Sequence, residues 1–361
     1  MSQQAVVFYL KGDRRLSRDT TMTHYQIRFS MRLPQIFAFF ALIAAALSFS
    51  TLGISAGLDL YQASVRTADN SEAGQAAAFQ TALKTVLVRV TGRRSAAQDP
   101  AFAPLLDNTR RYVQAFRALP DSQLSVSFDG ASLERWLAQN GQPLWGRERP
   151  NTVVWLVAAT PAPGTVVTLD DKSVLKNLID ETAAARGIRL TWPSTADLRN
   201  NHLDFAAVSS MSSSALAEIG RRLSGDAVLV GRATNLGANA SVRWTHGFQD
   251  HNSESTGATE GVNRAADTYA GTFAANGNIV PIDIEVSGVT DLRVFADLQT
   301  YLESLTFISH VSVQSLSGDT VKFRLTSRGG TEAVQHALAL SGRLQSSPPG
   351  ENGMQRYQLR R

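Results

Sequence analysis

Asn151-Thr152-Val153-Val154-Trp155-Leu156-Val157-Ala158 is almost wholly apolar; it is entered through Trp145-Gly146-Arg147-Glu148-Arg149-Pro150 and left through Thr160-Pro161-Ala162-Pro163-Gly164. A short Val-rich run bounded by proline and glycine reads as a strand covered on both faces, because a strand with one wet face alternates instead. Such a strand is the middle of a sheet, so its flanks must supply neighbouring strands and helical cover. The fold class that follows is α/β and α+β, a small multi-module protein with a mixed central sheet.

Downstream, Asp170-Asp171 caps a helix to about Arg186 with Val174, Leu175, Leu178 and Ile179 as its buried stripe; Gly187 ends it and Ile188–Trp192 returns as a strand. Strand, helix, strand predicts a parallel pair. Ser212–Ser214 opens a helix over Ala215–Leu223, Gly225-Asp226 turns, and Ala227–Ala233 is a second buried strand. Ala240–Phe248 is expected to pair antiparallel, Gln249–Gly257 to be a polar exposed loop, and Thr259–Ala275 to be a helix.

Upstream, Leu58–Arg66 alternates as a strand, and Ser71 caps a long helix that Gly92 stops. Leu105–Phe116 reads as helix, Gln123–Phe128 as strand and Ala131–Gln139 as helix. Past Asn276-Gly277-Asn278 the chain spells β-α-β-β-α-β: Pro281–Val289, Asp291–Leu305, Ile308–Ser315, Thr320–Thr326, Thr331–Leu340 and Gln355–Arg360, with Ser346–Gly353 as a loose loop. That order is the ferredoxin-like split βαβ. The expected division is a leader over 1–56 and modules at 57–145, 146–278 and 279–361, consistent with 361 residues at ~150 per domain.

Leu60–Val65, the helix ending Ala82–Gly92, the Ser127-Phe128-Asp129 turn and Trp145–Pro150 leading into Val154-Trp155-Leu156 together resemble the proteobacterial domain-of-unknown-function family 2066 (DUF2066), over roughly residues 58–275. The resemblance implies a cell-envelope location and brings no catalytic residues. The helix, tight turn and strand over 215–233 also resemble the repeating unit of envelope accessory domains, such as the amino-terminal domain of the Tol-system propeller protein; this is analogy at the level of the fold.

Thirty-five basic and 31 acidic side chains give a formal charge of +4, which at first suggests nucleic acid. Residues 1–56 hold six of the basic groups and two of the acidic ones, so the rest of the chain carries 29 of each. The basicity belongs to the leader. There, Met31-Arg32 precedes the uncharged run Ile36–Ile54 and small residues around Ser55-Ala56, the order of a secretory signal peptide cleaved after Ser55 or Ala56. The alternative is a retained inner-membrane anchor with the body in the periplasm, and Met22 or Met31 is an alternative start. No cysteine is present, which excludes disulfides, a lipid-modified cysteine, thiolate chemistry and Cys-ligated zinc.

No candidate chemistry has its full context. Gly53-Ile54-Ser55-Ala56-Gly57 has the nucleophile-elbow spacing but ends the leader. Ser173-Val174-Leu175-Lys176 has the serine–lysine spacing of cell-wall acyltransferases without their Ser-Asp-Asn and Lys-Thr-Gly elements, and reads as a helix start with Lys176 in solvent. His246 and His251 lack the spacing of a metal pair and read as surface residues. Asp283 and Glu285 face one side of a strand and read as the wet face of a sheet. The split βαβ sheet offers too few aromatics for RNA stacking. Trp145, Arg147 and Arg149 form the one cluster that suits a carboxylate partner, by guanidinium pairing and stacking; packing at the entry to the central strand is the alternative. The sequence therefore assigns no catalytic, cofactor or metal residue. It points to an exported, periplasmic, non-enzymatic envelope accessory protein that binds another envelope protein, touching the membrane only through an uncleaved leader. An envelope-directed hydrolase or acyltransferase and a small-ligand-binding protein are the alternatives.

Overall fold

The computed structural model describes residues 59–360, leaving out 70, 161, 250, 278, 351 and 352. The apolar leader, its cleavage point and the Gly53–Gly57 spacing lie outside the described residues. Mixed α/β structure, with ten α-helices and three sheets, makes up the described part.

The first sheet is antiparallel in the order β1-β3-β2, built from β1 (Gln62–Arg66), α1 (Glu72–Thr91), α2 (Ala103–Asp107), β2 (Val113–Leu119), β3 (Gln123–Phe128) and α3 (Gly130–Gln139). Ser71 starts α1 by accepting from the Gly74 N–H at 3.0 Å, and Gly92 stops it with φ +73°. Phe79, Leu83, Val86 and Val90 of α1 pack with Leu124, Val126 and Phe128 of β3. The helix expected over Leu105–Phe116 is replaced by α2, a 3-10 turn at Thr109–Tyr112 and the edge strand β2. Positive φ at Asp121 and Ser122 turns the chain into an antiparallel hairpin with β3, and that pairing overrides a weak helical pattern.

The central sheet follows: β4 (Asn151–Ala158), β5 (Thr165–Val166), α4 (Val174–Arg186), β6 (Arg189–Thr191), α5 (Thr195–Asn200), α6 (Phe205–Ser210), α7 (Ser213–Arg222), β7 (Ala227–Ala233), β8 (Val242–Phe248), β9 (His251–Thr256) and α8 (Glu260–Phe273). β4 lies parallel to β6 and β7, and β8 and β9 complete the sheet antiparallel. Val154, Leu156 and Ala158 share one core with Leu175 and Ile179 of α4 and Val262 and Ala266 of α8. Val153, Trp155 and Val157 meet Val208 of α6 and Leu216 of α7 on the opposite face. Both faces are covered, as the unbroken apolar run requires, and each such side chain contributes about 1.5–3 kcal/mol by leaving water.

Three local expectations change here. Ser173, not Asp170-Asp171, caps α4, and Val174 is 55% exposed, so the buried stripe is Leu175, Ile179 and Ala183. Most of the loop expected over 249–257 is the edge strand β9, whose polar side chains conceal an ordinary hairpin. Short helices α5 and α6 fill a stretch with no strong sequence signal.

β10 (Ile279–Ser287), α9 (Leu292–Ser304), β11 (Ile308–Ser317), β12 (Thr320–Arg328), α10 (Gly330–Ser341), β13 (Leu344–Ser347) and β14 (Gln355–Leu359) form the third sheet. Its order is β11-β12-β10-β14-β13, with β10 and β14 parallel and the other pairs antiparallel. β13 occupies the start of the expected loose loop. Leu298 and Leu302 of α9 and Val334 and Leu338 of α10 cover Ile284, Val286, Phe323 and Leu325. The other face is polar: Asp283 takes a two-pronged bond from Arg324 at 2.8 and 2.9 Å, and Glu285 pairs with Arg356 at 3.0 Å. No helix among the described residues is long and apolar enough to cross a membrane.

The sheets are stitched by main-chain contacts. Leu144, just before the central strand's approach, exchanges two backbone bonds with Ala275 beyond α8, at 3.1 and 2.8 Å. Gly92 lies so close to α8 that a Cβ there would sit 2.2 Å from Ala270 Cβ, and its φ is +73°. Gly92→Ala is therefore expected to cost about 2–4 kcal/mol, from overpacking plus left-handed strain. Equilibrium urea unfolding checks this: the midpoint should fall, and an unchanged midpoint contradicts the close junction.

Candidate functional site

Parallel strands that start side by side bring together residues far apart in sequence. β4, β6 and β7 begin at one end of the central sheet, with Asn151 opposite Arg189 and Thr152 opposite Ala227. Arg149, Arg189 and Asp226 therefore converge there. Across from them stand Tyr301 and Leu305, at the end of α9, and Leu340 and Ser341, at the end of α10, enclosing a cleft of about 410 Å³ that Arg147 and Glu148 also line. The site lies at the amino ends of the parallel strands, opposite to the usual ligand end of open α/β sheets.

Of the three residues that the sequence groups together, two are interior. Trp145 is 0% and Arg149 3% exposed. The Arg149 guanidinium lies 3.7 Å from the centre of a Trp145 ring. It donates to the carbonyls of Gly146 at 2.7 Å, Gly187 at 2.8 Å, Arg89 at 2.9 Å and Trp145 at 2.7 Å. Burial, and then the nearby Arg89 charge, push its pKa down to about 9. This side chain is a structural hub and only its edge reaches the cleft. Arg147 is exposed. Its N–H donates to Thr306 Oγ1 at 3.1 Å, while its guanidinium also borders a second cleft of about 400 Å³ beside Tyr61 and Glu134.

The acidic groups are already engaged. Glu148 Oε1 accepts from the Thr306 N–H at 2.9 Å, and Asp226 Oδ2 accepts from the Asn151 N–H at 2.8 Å. Burial raises the Asp226 pKa, against the opposing pull of that N–H and of Arg189. In the second cleft the Tyr61 phenol donates to Glu134, and burial with that carboxylate raises its pKa.

The serine–lysine pair is structural. Ser173 Oγ accepts from the Lys176 N–H, and Lys176 Nζ is not in solvent but bonds Asp180 at 2.7 Å, 5.0 Å from the centre of a Trp192 ring. Trp192 Nε1 donates to the other oxygen of Asp180 at 2.8 Å. Asp283 and Glu285 occupy the wet face, each held by cross-strand partners. Among the described residues no group of His, Asp and Glu is arranged to hold a metal.

His246 departs from the surface placement expected of it. It is 3% exposed, its Nε2 lies 3.0 Å from Tyr269 Oη, and that hydroxyl lies 2.7 Å from Thr152 Oγ1. Alternation along β8 turns His246 inward, a signal hidden by its polar neighbours Asp250 and His251. Burial lowers its pKa from 6.5 to about 4. Arg189, Asp226 and Tyr301 were likewise missed; strand starts mark the first two, but only the sheet register joins them.

Residues 56–146 match the family model of a domain of unknown function, DUF8605. The match covers the first sheet and its helices, and replaces the resemblance to family 2066. No curated protein and no solved structure matches the chain.

Two outcomes follow from this geometry. Arg149→Met strands four carbonyls and should lose about 3–5 kcal/mol, whereas exposed Arg147→Gln should stay within about 0.5 kcal/mol; urea midpoints compare them, and similar midpoints would dismiss the hub. Between pH 6.5 and about 4 the unfolded chain takes up a proton at His246 that the folded chain refuses. Stability therefore falls as pH drops through that window and is fully present above it, a change of about 3 kcal/mol. His246→Gln should flatten the pH dependence of the urea midpoint by that amount.

Proposed function

We propose that this chain is an exported, non-enzymatic accessory protein of the cell envelope that works by binding another envelope protein through its C-terminal sheet. The export part rests on the leader, whose positive start, apolar run and small-residue end are those of a signal peptide. The observation that carries the binding part is the unpaired edge of the third sheet. β11 runs for ten residues with a single neighbour, β12, and presents Val313 at 43% and Leu316 at 63% exposure. Free N–H and C=O groups along such an edge, beside exposed apolar side chains, accept an added strand. Register shifts at Ile308/His310 and Val313/Ser315 restrict where a strand can add, which favours a specific partner over indiscriminate pairing.

The module boundaries at 57–145, 146–278 and 279–361 belong to the same proposal, supported by a separate apolar cluster beside each sheet. The last of them is read as a ferredoxin-like split βαβ with β13 as an added edge strand, on the ground of its strand order and one parallel pair.

A photo-reactive residue replacing Leu316 is expected to crosslink one discrete envelope protein in living cells, and the same residue at buried Phe323 is not. Absence of a Leu316 adduct, or recovery of the uncleaved chain in the cytosol, refutes the reading.

A further inference from the structure

We propose that the cleft between the strand starts of the central sheet and the ends of α9 and α10 binds a small organic anion, a carboxylate carrying a short apolar tail. This goes beyond the envelope-partner reading and stands independently of it, since it rests on other residues.

Charge is the first ground. Arg147, Arg149 and Arg189 line the cleft against Glu148 and Asp226, and both carboxylates are already bound to main-chain N–H groups at 2.9 and 2.8 Å. Arg147 and Arg189 are exposed, and neither guanidinium has an ion-pair partner among the described residues. Behind them, Arg149 is ligated only by carbonyls. Three guanidinium groups against two carboxylates leave a net positive charge of one along the lining, partly offset by the Arg189–Asp226 and Arg149–Glu148 attractions.

A free donor is the second. Tyr301 Oη is enclosed and makes no hydrogen bond of good geometry. Ser341 is its one weak hydrogen-bonding neighbour, which softens the burial-driven rise of its pKa, and Ser341 Oγ already donates to the Leu338 carbonyl at 2.9 Å and accepts from the Arg343 N–H at 3.2 Å. A buried hydroxyl without an acceptor is costly, and an incoming carboxylate oxygen would supply one.

Shape and lining set the ligand class. At about 410 Å³ the cleft is within the range of small-molecule sites, not of peptide grooves. Leu305, Ala337 and Leu340 form its apolar wall, opposite the arginines. A carboxylate head fits two guanidinium groups and a hydroxyl, and a tail of a few methylenes fits the wall.

Isothermal titration of the full-length chain tests this with hexanoate, inorganic phosphate, hexanol and poly-glutamate. Hexanoate should bind, raise the melting temperature, and bind at least about tenfold more tightly than phosphate or hexanol. Arg147→Gln/Arg189→Gln should weaken it about tenfold or more, and Tyr301→Phe should weaken it while keeping the fold, judged by a ligand-free melting temperature that is unchanged or higher. No binding of hexanoate, equal binding of phosphate or hexanol, affinity unaffected by the arginine changes, or binding of poly-glutamate alone would each overturn the proposal.

Discussion

One guanidinium holds the architecture together. Arg149 reaches back to the last turn of α1 through the Arg89 carbonyl, sideways to its own loop through Trp145 and Gly146, and forward to the Gly187 turn after α4. A cation is well suited to this duty because it offers several N–H groups in one rigid plane. Its desolvation is expensive, and that cost is offset by charge-assisted bonds to carbonyls that would otherwise be buried without donors.

The same solution recurs elsewhere. Within the first module Arg89 donates to the Asp59 and Gln62 carbonyls, each at 2.8 Å, and at the seam with the central sheet Arg186 donates to the Gly92 carbonyl at 2.9 Å while pairing with Asp267. Arg328 donates to the Gln142 carbonyl at 2.5 Å, across from the third sheet to the loop before β4. Loops and helix ends leave carbonyls unpaired, and seams between sheets are where loops and helix ends meet. Long cationic side chains reach them without either module giving up a strand or helix position.

How much of this was legible follows from where the information sits. The central strand could be read because burial on both faces is written in its own residues, and α1, α8 and the third sheet's alternation are local in the same way. β2 and β9 were misread because edge strands bury little, so their side chains carry no periodic record of pairing. Val174 was misassigned because it is the first helical residue after the Ser173 cap, off the face that Leu175, Ile179 and Ala183 share at a spacing of four. His246 and Lys176 look like solvent residues in composition. What buries them is the opposite side of a strand in one case and an Asp180–Trp192 pair in the other. The cluster of Trp145, Arg147 and Arg149 was found by type, yet adjacency in sequence concealed that the chain turns Arg149 inward and Arg147 outward.

The Leu144–Ala275 bridge joins residues that bracket the whole central sheet. A chain that must bring these two together, and Arg149 to both Arg89 and Gly187, relies on contacts of long sequence separation, whose loop-closure entropy must be met before they stabilise anything. The segment matched by the DUF8605 family model ends at the threshold of those contacts, with one side of the bridge inside it and the other far beyond. Its boundary marks a limit of sequence relatedness, while mechanical continuity carries on past it.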